Sequence, residues 1–257
     1  FAQAFIRGAC STGCEAIDVG VVPTPVVYWA IQNLGAGGGV VITGSHNPSD
    51  YNGFKLTLTG RSLYGDDIQG FRAAMEAEDY LSGHGTTRSV DVVDDYLDEL
   101  ADNLEPVERK LKVVVDAGNG VGGITGVPLF ERMGCEVIPL FCELDGTFPN
   151  HHADPTVEKN LEDLKVAVAE HGADIGVAFD GDADRIGLID RGGEVGRVMA
   201  HPATHERKPV EAACRFRTGH DLHLAPLKMR ADRCRRRHCF GITVARERTR
   251  IVDDEFR

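Results

Sequence analysis

The 257-residue chain carries 40 Asp+Glu against 28 Lys+Arg, a net charge of −12, and 42% of its residues are hydrophobic. That length and composition fit a soluble globular protein with one large or two ordinary α/β domains and a real core. No apolar run reaches the ~20 residues of a membrane-spanning helix, and the acidic balance speaks against nucleic acid, so neither membrane nor nucleic acid is expected as a partner.

The charge is unevenly spread. Residues 1–196 hold 13 Lys+Arg against 32 Asp+Glu, whereas residues 197–257 hold 15 against 8. The 7 Cys lie at irregular spacings with no paired framework, which predicts a reduced, cytoplasmic setting.

In chain order, Phe1 to Ile6 read as the inside of a helix ending near Ala9, so the sequence is expected to begin within a domain. A strand is expected around Ala16 to Val22, then a helix from Thr24 to about Leu34 with Pro25 in its first turn. Gly38 to Thr43 reads as a buried strand and Phe54 to Thr59 as another. Gly65 to Glu76 reads as a helix with Ile68, Phe71 and Met75 on one face. Residues 77–92, rich in Gly, Ser, Thr and Asp, break this alternation and mark a boundary before an amphipathic helix from Val93 to Leu104. Strands follow at Lys112 to Asp116, Glu136 to Phe141 and Asp174 to Phe179, with helices at Thr125 to Met133 and Glu158 to His171. A β-α-β-α-β series of this kind makes a mostly parallel sheet with ligand-facing loops at the carboxyl ends of its strands. The expected fold class is α/β, with domains at 1–92 and 93–196 and an atypical basic tail at 197–257.

Two loops stand out. In "FDGDADRIG" the carboxylates of Asp180, Asp182 and Asp184 alternate with the small residues Gly181 and Ala183, which lets a turning backbone bring three acids toward one point. Hard cations such as Mg²⁺ want oxygen ligands of this type, and the acids repel one another without a cation. The plainer alternative is a solvated acidic turn. An EF-hand does not fit, because position 12 counted from Asp180 is Arg191 where a Glu is required. Arg185 is placed to pair with these carboxylates or with a phosphate.

The second loop, "TGSHNPSDYNGFK", begins at residue 43, directly after a buried strand. Ser45 is a nucleophile only with help. His46 beside it can act as acid, base or phosphate donor, Asn47-Pro48 fixes a turn that displays the hydroxyl, and Lys55 can hold phosphate oxygens or move a proton. A polar strand-to-loop turn with a capping Ser is the alternative. Asn47 stands where a hydrolase elbow needs a different sequence, so a hydrolytic triad is disfavoured.

Together, "TGSHNPSDYNGFK" and "FDGDADR" about 135 residues later resemble the α-D-phosphohexomutases, closest to the bacterial phosphomannomutase/phosphoglucomutase branch. "DVGVVPTPVVYWA", "VVVDAGNGVGG" and "DGTFPNHHADPTVEKNL" are similar to that branch too, and the likeness runs from about residue 5 to 195. Gly44, where some relatives carry Ala, is typical of the mannose/glucose branch. The resemblance implies an isomerase that interconverts hexose 6-phosphate and hexose 1-phosphate. It implies phosphoserine at Ser45, Mg²⁺ held by Asp180, Asp182, Asp184 and the Ser45 phosphate, and hexose 1,6-bisphosphate as intermediate or activator. His46 and Lys55 fall at the matching catalytic positions, and Asn47 and Arg185 at substrate- or phosphate-binding ones. Ala183 replaces the family's usual Gly, which is tolerable unless that position needs φ > 0.

The resemblance also implies four domains closing over the sugar, two of which, with the start of the first, fall outside this sequence. Little or no turnover is therefore expected of this chain alone. A metal-dependent phosphatase or a non-catalytic sugar-phosphate-binding module are the rival readings. The remaining motifs have duller readings: "DAGNGVGG" as close packing of a βα turn, His151 and His152 as a polar loop, Glu99 and Asp102 as a solvated helix face. "DRCRRRHC" lacks zinc-finger spacing. Since likeness and composition change together near Val195, residues 197–257 are expected to be a frame-shifted or artificial tail without native structure.

Overall fold

The computed structural model describes residues 1–59, 61–104, 109–198 and 241–246. In the first unit α1 (Ala2–Ser11), β1 (Glu15–Gly20), α2 (Thr24–Asn33) and β2 (Gly38–Ile42) alternate, and β3 (Phe54–Leu58) and β4 (Arg61–Ser62) extend the sheet antiparallel. Every residue of β2 is buried, as befits a strand covered on both faces. Pro25 lies in the first turn of α2, where its missing N–H costs no hydrogen bond. Ile17, Val26, Val27, Ala30 and Val41 form the core on the α2 side, and Ile6, Ala16, Val40 and Ile42 the core under α1. β1 stops at Gly20, whose φ of 79° turns the chain before the expected end at Val22.

The helix α3 (Asp66–Glu76) forms as expected; it buries no residue, and Ile68, Phe71 and Met75 face solvent. Its apolar stripe has the right period without having a core to meet. Within the polar stretch 77–92, Thr87–Ser89 forms an edge strand, β5, parallel to β1.

α4 (Val93–Asn103) packs on both sides of the boundary, against α2 and the later α5 (Gly122–Arg132). Its Glu99 is more than a solvated acid: the Trp29 indole N–H donates to Glu99 Oε2 at 2.8 Å, and the Trp29 ring meets Tyr96 edge-on. The second sheet contains β6 (Lys112–Asp116), β7 (Glu136–Leu140), β8 (Ile175–Phe179), β9 (Ile186–Asp190) and β10 (Val195–Val198), in the order β10-β9-β8-β6-β7. β6 is parallel to β7 and β8, whereas β9 and β10 run antiparallel as a hairpin that the sequence reading did not anticipate. The expected long helix at Glu158 starts as a 3-10 turn (Glu158–Leu161) before α6 (Glu162–His171), which Gly172 ends at φ 59°. Leu161, Leu164 and Val168 of this segment pack on Val114 and Ile189.

The basic tail contributes one described element. Gly241–Arg246 forms β11, inserted between β1 and β2 and parallel to both. Ile242, Thr243 and Val244 supply the β-branched run a central strand favours. Of the tail expected at 197–257, residues 197–198 end β10 and Gly241–Arg246 form β11; positions 199–240 and 247–257 lie outside the described residues. Among the described residues no helix is long and apolar enough to cross a membrane.

Candidate active site

β2 and β8 each belong to a parallel part of their sheet, so the loops at their carboxyl ends are where an α/β fold presents ligands. The β2 loop is tied by its own backbone: Thr43 N–H donates to Gly53 O at 3.1 Å and Asn47 N–H to Gly44 O at 2.9 Å. A Cβ on Gly44 would stand 2.9 Å from Tyr51 O, so any larger residue there would make the loop shift. Ser45 N–H donates to the Thr43 hydroxyl at 2.7 Å, and Ser45 itself is held at φ 51°. A non-glycine residue in that region costs roughly 1–3 kcal/mol and persists where the surroundings over-determine it. The strained backbone turns the Ser45 hydroxyl toward the second domain.

There it meets the loop after β8. Ser45 Oγ–H lies 2.8 Å from Asp182 Oδ1 and 3.1 Å from Asp180 Oδ2, across 137 and 135 positions of sequence. The Asp180, Asp182 and Asp184 carboxylates each offer an oxygen within 4.8 Å of the others. Asp180 and Asp182 are buried and Asp184 is partly open. The loop is braced from behind by "DAGNGVGG": Val121 N–H donates to Gly181 O at 3.0 Å, and a Cβ on Gly120 would fall 2.6 Å from that oxygen. Gly122 and Gly126 give Phe179 the same close approach. The Gly-rich stretch is thus a packing device that shapes the acidic loop.

Two cations are already present. Lys55 on β3 donates through Nζ to Asp182 Oδ2 and, at 2.8 Å, to Asp184 Oδ2. Burial alone would lower the Lys55 pKa, but Asp182 and Asp184 outweigh it and hold it above its usual value. Arg185 donates to Asp180 Oδ2 from Nε (3.0 Å) and Nη2 (2.8 Å), reaches to 3.4 Å from Ser45 Oγ, and donates to His46 Nδ1. With Nδ1 an acceptor, a neutral His46 carries its proton on Nε2. Asn47 is exposed, and its backbone rather than its side chain is what the loop uses.

Three carboxylates against two cations leave the cluster one positive charge short. Burial first, then Asp182 and Asp184, push the Asp180 carboxyl up to about 7, whereas Asp182, which burial would also raise, is held low by Lys55 and by hydrogen bonds from Lys55, Thr24 and Ser45. An all-oxygen donor set with unmet negative charge fits a hard divalent cation, and these three residues could hold one.

Matching this chain to known families gives residues 1–82 as phosphoglucomutase/phosphomannomutase α/β/α domain I and residues 94–193 as domain II of the same family. The chain belongs to the phosphoglucomutase/phosphomannomutase family. It is 47% identical over 193 residues to a Pseudomonas putida phosphomannomutase/phosphoglucomutase, covering 75% of this chain and 42% of that one. It is 44% identical over 191 residues to a Neisseria meningitidis phosphoglucomutase, covering 74% and 41%. A crystal structure of a phosphoglucomutase/phosphomannomutase family protein from Burkholderia thailandensis superposes with a TM-score of 0.70 at 40% identity, over 75% of this chain and 44% of that one. The chain therefore spans about two fifths of the length of these curated relatives.

Three features of the cluster were not legible in the sequence. Ala183 has φ 55°, so the condition under which replacing the family's Gly would matter is met. Asp154 is buried, lies 3.6 Å from Arg185 Nη1 and is held below the usual carboxylate range: burial would raise it, but hydrogen bonds from Thr156 and the charge of Arg185 outweigh that. Thr24 is fully buried, and its hydroxyl donates to Asp182 Oδ2 at 2.6 Å. Both stand in strings that resemble the family, Thr24 in "DVGVVPTPVVYWA" and Asp154 in "DGTFPNHHADPTVEKNL", but the strings give neither a role; the folded chain brings them to the site. His151, by contrast, joins no such group among the described residues: its Nε2 sits 2.9 Å from the buried Asp116 and its Nδ1 faces the His152 carbonyl.

Proposed function

We infer that this chain supplies the phosphoryl-donor and cation-binding halves of a hexose-phosphate mutase, interconverting hexose 6-phosphate and hexose 1-phosphate of mannose, glucose or both. The observation that carries this is the Ser45 hydroxyl of one domain at 2.8 and 3.1 Å from the buried carboxylates of the other. Ser45 carries the phosphoryl group as a phosphoserine. The P–O bond to Ser45 Oγ breaks as a bond to a C1 or C6 hydroxyl oxygen forms, that hydroxyl gives up its proton while Ser45 Oγ takes one up, and a hexose 1,6-bisphosphate results. After the sugar turns round, its other phosphoryl group returns to Ser45 Oγ.

Asp180, Asp182 and Asp184 would hold Mg²⁺, which when bound offsets the charge of the phosphoryl group, nearly two negative units on a phosphoserine. Arg185 already lies within 3.4 Å of Ser45 Oγ and steadies the phosphate oxygens. His46 Nε2–H is left to donate to a phosphate or sugar oxygen. Lys55, kept protonated by Asp182 and Asp184, acts as fixed charge rather than as base. Phosphoryl transfer depends mainly on this positioning and charge placement. The chain spans about two fifths of its relatives, and turnover by this chain alone is low.

The test loads the protein from radiolabelled glucose 1,6-bisphosphate with Mg²⁺, then offers glucose or mannose 6-phosphate. Label on Ser45 that moves to the sugar supports the mutase, and Ser45→Ala abolishes labelling. Label on an aspartate, released as inorganic phosphate, would establish a phosphatase instead, and sugar-phosphate binding without label a binding module.

A further inference from the structure

Asp182 is the carboxylate that Ser45 approaches most closely, and its two oxygens are treated differently. Oδ1 accepts from Ser45 Oγ at 2.8 Å, while Oδ2 accepts from the Thr24 hydroxyl at 2.6 Å and from Lys55 Nζ. A carboxylate oxygen offers about two lone-pair directions, so Oδ2 is filled and Oδ1 keeps one free. Thr24 also donates its backbone N–H to the Asp182 carbonyl at 2.9 Å. That N–H belongs to the first turn of α2 and has no partner within its own helix. The first domain thus grips Asp182 by main chain and side chain at once.

Of the two groups on Oδ2, Thr24 is the rigid one. It is β-branched, stiff at χ1, completely buried and mounted on a helix start. Lys55 reaches Oδ2 on a flexible stem and is shared with Asp184. The α2 amino end adds its partial positive charge to the same carboxylate.

We propose that Thr24 is a positioning residue that occupies Asp182 Oδ2, so that Asp182 offers only Oδ1 to a divalent cation beside Ser45, and that couples this choice to the docking of the two domains. The proposal rests on the reading of the three aspartates as a cation site. Removing the hydroxyl frees Oδ2 to compete for the cation and loosens the carboxylate, and loss of an outer hydrogen-bond partner of a metal ligand typically weakens binding by about 10–100-fold.

The experiment measures Mn²⁺ affinity of the intact protein by electron paramagnetic resonance for wild type, Thr24→Val, Thr24→Ser and Asp180→Asn, with thermal unfolding as a check on folding. Thr24→Val keeps the shape and loses the donor; Thr24→Ser keeps the donor and loses a methyl. The expected result is Mn²⁺ bound about tenfold more weakly by Thr24→Val and within about threefold of wild type by Thr24→Ser. If Thr24→Val does not fold, Thr24→Ala carries the same comparison. Wild-type affinity in the hydroxyl-free variant, or Thr24→Ser as weak as Thr24→Val, would overturn the role of Thr24 alone. Equal affinity for wild type and Asp180→Asn would overturn the cation reading, and this proposal with it.

Discussion

The two sheets solve the same problem differently. The second is built from strands that follow one another through residues 112–198, with its parallel core β7-β6-β8 continued by a local hairpin. The first has a six-residue strand from the far end of the chain, β11, at its centre, between β1 and β2. The Ser45 loop grows from β2, directly beside that borrowed strand, and the acidic loop from β8, inside the self-contained sheet. The lesson is that one half of the site depends on nearby sequence and the other on a long-range pairing.

The comparison predicts where each half breaks. Deleting residues 241–257 removes the partner of both β1 and β2, and the loss should approach the whole stability of a domain, roughly 5–15 kcal/mol. Calorimetry should then show the second domain unfolding cooperatively and the first domain not; a wild-type trace would mean that β11 is dispensable.

A smaller effect concerns charge in the second domain. The Asp180 carboxyl is raised to about 7 in the folded protein against 3.8 ordinarily. Its folded state holds the proton more tightly, so the contribution is present in full below about pH 4 and lost as the pH rises through about 7, up to about 4 kcal/mol. Denaturant titration of metal-free protein between pH 4 and 8 should show that loss, flattened in Asp180→Asn and reduced by Mg²⁺. A pH-independent wild type would contradict the charge account.

Gly120→Ala pushes a Cβ into the Gly181 carbonyl, so the acidic loop has to move. Overpacking of this kind costs about 1–3 kcal/mol, and Mn²⁺ affinity should fall along with the melting temperature. Smallest of all is Ala183→Gly. A left-handed alanine carries roughly 1–2 kcal/mol of strain, but glycine costs roughly 0.5–1 kcal/mol more to order. The net gain in stability should stay below about 1.5 kcal/mol, and a destabilised variant would show that the Ala183 methyl packs usefully.

What the sequence revealed follows the same divide. β6 is legible to the residue at Lys112–Asp116 because a strand buried on both faces is an unbroken apolar run. β9 was missed because it starts one residue after the acidic loop, whose charge masks it, and β5 because a three-residue polar edge strand has no periodicity to read. β11 was hidden by its basic surroundings. The helical period of Ile68, Phe71 and Met75 is legible and their exposure is not, since period says which residues share a face and not what covers it. At the site, Ser45, His46, Lys55, Asp180, Asp182, Asp184 and Arg185 stand in recognisable strings and converge. Thr24 also stands in such a string, "DVGVVPTPVVYWA", but the string does not say that its hydroxyl meets Asp182, 158 positions away.

The central claim is that a phosphoserine from one domain and a cation held by the other form a single site. Phosphorus NMR of the Ser45-phosphorylated protein, titrated with Mn²⁺, tests both halves at once. The phosphoserine signal should broaden beyond detection in wild type at saturating Mn²⁺ and stay sharp in Asp182→Asn. A sharp wild-type signal at saturation would contradict the account.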